Sequence, residues 1–114
     1  MKKLLFSVLI SILTANIAFA NTEKELGLAV GLAAGIKCSA EKDYISEAEE
    51  MPLLEYHLEK NNVSHLREYL DSEKGQTITR ILVSGHMDEK CQLNAKDRKN
   101  MAKLNKLILF YAPE

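Results

Sequence analysis

Few residues in this 114-residue chain have types and spacing that could do chemistry: three histidines, two cysteines and the Ser84-Gly85-His86 run. His57, His65 and His86 are the only imidazoles. A zinc site needs three or four converging ligands, usually with one close pair at helical or turn spacing. His57 and His65 stand eight residues apart, loosely on one face of a continuous helix, but Asn61-Asn62 is expected to interrupt it. Glu68, three residues after His65, could supply a carboxylate. The spacing predicts no metal site and no cofactor. Ser84-Gly85-His86 brings a hydroxyl near a base, but it lacks the glycine frame of a nucleophile elbow. Adjacency in sequence does not supply nucleophile–base geometry. Gly27, Gly31 and Gly35 recur every four residues, which is helical spacing rather than that of a phosphate-binding loop. The chain reads as non-catalytic.

The cysteines, Cys38 and Cys91, have no Cys-x-x-Cys spacing and no setting that would lower a thiol pKa. In an oxidising compartment the pair is most simply one disulfide, with a single intramolecular connectivity. The N-terminus implies such a compartment. Lys2 and Lys3 precede an uncharged run from Leu4 to Ile17, which ends in Ala18-Phe19-Ala20. This is the layout of a bacterial secretory signal, with small residues flanking a bulky one at the cleavage site. The run is shorter than the ~20 residues that span hydrocarbon comfortably, and an uncleaved anchor is the alternative. No cysteine follows to carry a lipid. Removing Met1–Ala20 leaves Asn21–Glu114, read as a single helical domain with 13 basic and 16 acidic residues. That balance argues against nucleic acid, whose binders carry a basic excess to displace counterions.

The elements that must position these residues read as helices. Thr22 precedes Glu25 at capping-box spacing, and Leu26 to Ile36 is apolar on every side, so the first helix is expected over about 23–40. Its three glycines make a smooth groove along which another backbone can approach closely. The occupant is either a helix of the same chain, or a second copy or membrane. Glu41–Glu59 is strongly acidic, and Met51-Pro52 is expected to break it. Leu53, Leu54, His57 and Leu58 resume helical spacing up to Asn61-Asn62. Ser64 is expected to cap a short helix carrying Leu66, Tyr69 and Leu70, which ends before Gly75. Residues 76–84 fit helix or strand; with no second strand to pair with, helix is the expectation. Asn94 and Asp97 are spaced to cap a last helix over about 95–111, with Met101, Leu104, Leu107, Ile108 and Tyr111 on one face. Its other face carries Lys96, Arg98, Lys99, Lys103 and Lys106. The sum is an all-α fold: a small bundle of four to five helices stapled by one disulfide.

One functional signal stands out, the separation of charge between Glu41–Glu59 and the basic last helix. Either the two regions satisfy each other or water, or they form an electrostatic recognition surface. The leading expectation is a periplasmic or secreted protein without catalytic role that binds a protein partner in the cell envelope. Glu47, Glu49, Glu50, Glu55 and Glu59 form the first candidate surface. One concrete version is an inhibitor that neutralises a toxin. By architecture alone such a chain is similar to bacterial immunity proteins and to periplasmic acid-stress chaperones, and no motif assigns it to either. The alternatives are that chaperone, unfolding as carboxylates and histidines take up protons, and a membrane-active or self-associating protein, for instance a homodimer, using the Gly27/Gly31/Gly35 face.

Overall fold

Leu26, Ala29, Val30, Leu32, Ala34 and Ile36 occupy successive sides of one helix, and all are almost fully buried. A helix apolar all round belongs in the middle of its domain, and α1 (Asn21–Glu41) takes that position. The structure, a computed structural model, describes residues 21–113. The secretory signal expected over Met1–Ala20 lies outside the described residues. Backbone is already helical at Asn21, so Thr22 lies within α1 and does not hold the extended conformation of a cap.

Around α1 are wrapped α2 (Glu47–Lys60), a 3-10 turn (Ser64–Leu66), α3 (Arg67–Asp71), α4 (Glu73–Gly85), α5 (Ala95–Lys99) and α6 (Met101–Phe110). Helices α4 and α2 make the most extensive contacts with α1, and α6 and α3 complete its cover. The fold is a small all-α bundle, and among the described residues the only β feature is an isolated bridge between Met87 and Leu93. Residues 76–84 are helical, as the lack of a pairing strand implied.

Three local expectations are corrected. Pro52 does not break the acidic stretch: α2 runs through it. The start is fixed upstream, where Ser46 accepts from the Glu49 amide and the Glu49 carboxylate accepts from the Ser46 amide at 2.7 Å. Burial of Leu54, His57 and Leu58 then holds the helix on the core. Ser64 caps nothing; it begins the 3-10 turn, and the cap is Ser72, whose hydroxyl accepts from the Gly75 amide at 3.2 Å. Gly75 therefore sits inside the first turn of α4, buried against α3. A Cβ there would fall within the radius of the Tyr69 carbonyl oxygen. Finally, the last helix is two helices, because Asn100 leaves helical dihedrals and its side chain caps α6 through the Lys103 amide.

Candidate functional site

Cys38 near the end of α1 is bonded to Cys91, 53 residues away, with their Cα atoms 5.7 Å apart. Cys91 sits at the turn of the 86–94 loop with φ 60°, a left-handed conformation that disfavours side chains other than Asn and Asp. The loop is built to hold it there. Asp88 accepts amide bonds from Lys90 and Gln92 at 2.8 and 3.2 Å, and the Cys91 amide donates to the Asp88 carbonyl. At its base the Asn94 amide donates to the His86 carbonyl at 3.0 Å. The Tyr44 hydroxyl adds a 2.6 Å bond to the Glu89 carbonyl, tying the loop to the segment after α1.

By bringing His86 beside Asn94, this loop sets the end of α4 against α5. His86 Nδ1 lies 2.8 Å from Asp97 Oδ2, and that carboxylate is only 14% exposed. Beside the pair opens a cleft of about 370 Å³, bounded by Lys96 and Asp97 of α5 and by Lys103, Leu104 and Leu107 of α6. Asn94 and Asn100, the two capping residues, complete its polar wall. Ser84 stays outside: its hydroxyl donates to the Arg80 carbonyl at 2.7 Å, and it does not line the cleft beside the His86–Asp97 pair.

The other histidines go elsewhere. His57 is buried in α2 with its ring edge-on to Tyr56, and exposed His65 lies 3.3 Å from Glu25 of α1. Among the described residues no three His, Cys, Asp or Glu side chains gather as a metal ion would require.

The acidic candidates are dispersed rather than pooled. Glu49 serves the capping box of α2, Glu55 pairs with Arg67 at 3.0 Å, Glu50 is half-buried, and Glu47 and Glu59 are exposed. The basic residues differ. Lys96, Arg98, Lys99, Lys103 and Lys106 are all exposed, and none has an ion-pair partner among the described residues. Asp97, the one acid in their midst, is committed to His86. Lys103, Lys106 and Phe110 follow one another at i, i+3 and i+7 on the outer face of α6, and Phe110 is 78% exposed. Residues 21–89, by contrast, carry fourteen acidic and seven basic side chains.

Gly27, Gly31 and Gly35 are buried along α1. No helix among the described residues is long and apolar enough to cross a membrane.

Sequence reasoning saw Asp97 as part of a cap and His86 as a lone imidazole; it missed that they meet. The usable signal was Asp88, whose side chain can bond amides two and four residues on and so fold residues 87–93 back on themselves. It also missed Arg67 as the partner of Glu55, because only the turn between the two helices brings Arg67 back beside α2. Comparison with protein-family models, with curated proteins and with solved structures yields no match for the chain.

Proposed function

We propose that the protein is a non-catalytic binding protein of the bacterial periplasm or extracellular space, and that it recognises an acidic protein partner through the α5–α6 face. The observation that carries this reading is the set of five exposed cations on α5 and α6 without ion-pair partners among the described residues, the one acid among them, Asp97, being paired with His86. Surface charges in one fold are usually interspersed in sign, and a one-sign face steers association and selects partners. Phe110, flanked by Lys106 and largely exposed, is the kind of aromatic anchor that concentrates binding energy. The acidic α2 surface fits less well, since Glu49 and Glu55 already have structural duties. The disulfide supports an oxidising compartment. An inhibitor of a toxin remains the concrete version of this reading.

The experiment is to recover interacting proteins from an envelope extract and to measure one purified partner against charge-reversed variants. Reversing Arg98, Lys99 and Lys106 together should weaken that partner about tenfold or more, chiefly through slower association at low salt. Reversing Glu47 and Glu59 should leave it unchanged. A partner that binds the basic-face variant as tightly as the parent overturns the proposal.

A further inference from the structure

The cleft beneath the basic face has its own chemistry, independent of any protein partner. Its volume of about 370 Å³ falls in the range that small-molecule sites occupy, ~300–1,000 Å³. Its polar groups are mostly donors. Lys96 and Lys103 line it without acidic partners among the described residues, and the side-chain oxygens of Asn94 and Asn100 are taken by the Asp97 and Lys103 amides. The amide NH₂ groups of both asparagines are thereby left as the available ends. The only anion, Asp97, is bonded to His86 Nδ1, which leaves Nε2 as the ring nitrogen without a partner. Leu104 and Leu107 form an apolar wall.

We propose that this cleft is a binding site for a small organic carboxylate with an aliphatic or aromatic tail. Two lysines against one aspartate leave the cleft lining with an excess of positive charge, which suits an anion. The donors suit carboxylate oxygens, which accept and do not donate. The leucines suit a tail, whose burial adds about 0.8 kcal/mol per methylene removed from water. Inorganic phosphate fits worse because it offers nothing to the leucine wall.

The test is a titration of the intact oxidised protein with hexanoate, acetate and inorganic phosphate at constant ionic strength, followed by backbone amide resonances. Hexanoate should shift the amides of residues 85–107 saturably and leave those of α2 and α3 in place. Acetate, four methylenes shorter, should bind at least about tenfold more weakly, the effect of burying about two of those methylenes. The variant Lys96→Gln/Lys103→Gln, which alters only exposed side chains, should keep the parent's circular dichroism and melting temperature and lose at least about tenfold in hexanoate affinity. The proposal is overturned by any of three results: no saturation with hexanoate up to about 50 mM, unchanged affinity in the double variant, or phosphate binding as tightly as hexanoate. The two proposals fail separately: the carboxylate titration contains no protein partner, and the partner test reverses Arg98, Lys99 and Lys106, none of which lines the cleft.

Discussion

Tyr69 shows how much one side chain can carry in a small bundle. It is buried in α3, and its hydroxyl donates to the Tyr111 carbonyl at 2.7 Å, so it ties the middle of the chain to the end of α6. Burial pushes its phenol above the ordinary value of 10.0, because the phenolate would lose hydration. The sign of the consequence follows from proton linkage. Above the unfolded pKa the unfolded chain releases its proton while the folded one holds on, so stability falls as pH rises through the alkaline range. Ionisation also removes the donor to Tyr111. The Tyr69→Phe variant should lose about 1 kcal/mol at neutral pH, from the unmade hydrogen bond and an unsatisfied carbonyl. Its urea midpoint should then decline less steeply than the parent's above pH 10. Equal alkaline slopes in the two proteins would remove Tyr69 from this role.

Helix boundaries divide into those that local chemistry announces and those that tertiary contact decides. The Asn94–Asp97 cap and the Asn61-Asn62 stop were readable because each rests on a side chain bonding a nearby backbone group, or on Asn tolerating φ 59° at position 62. Apolar patterning gave α1 and the buried face of α6 in the same way, whereas for residues 76–84 it fitted helix or strand and the lack of a pairing strand decided for helix. Gly75 was misread as the end of an element because only the approach of α3 makes it indispensable inside α4. The cleft stayed hidden for a related reason: its halves are joined through a loop whose geometry depends on a cross-link to a distant helix. Pro52 is the sharpest case. At the sixth position of α2 it lacks the amide that would bond the Ala48 carbonyl, yet the helix continues. Proline in a helix interior costs about 3 kcal/mol relative to alanine, partly offset by the freedom it removes from the unfolded chain. Pro52 is exposed and packs no core surface. The Pro52→Ala variant should therefore be more stable than the parent by about 1–2 kcal/mol in a urea titration. A loss of stability would mean that the proline's bend positions the buried side of α2.

At the scale of the whole molecule, a central helix is held at one end by a covalent bond. Cys38 is buried on the central helix, whereas Cys91 belongs to a loop with few core residues besides Leu93. Without the cross-link that loop would have to keep a cysteine in the left-handed region on hydrogen bonds alone, at a conformational cost of about 1–2 kcal/mol. Linking residues 53 apart removes unfolded-state entropy equivalent to about 4 kcal/mol in the chain-entropy treatment. Domains of this size are stable by roughly 5–15 kcal/mol in total, so reduction should take away a large share without dispersing α1, α2 and α4. The expected result is a urea midpoint lowered by the equivalent of about 4 kcal/mol under reducing conditions. The same should hold for the Cys38→Ala/Cys91→Ala variant. The loss should be uneven: amide exchange should speed up first in residues 86–94, and with it the alignment of His86 against Asp97 should fail. Carboxylate binding in the cleft would then disappear on reduction at urea concentrations where helicity persists. If the cleft instead kept its affinity until the helices melted, the loop would be holding its shape without the disulfide. The cross-link's contribution would then lie in the unfolded chain alone.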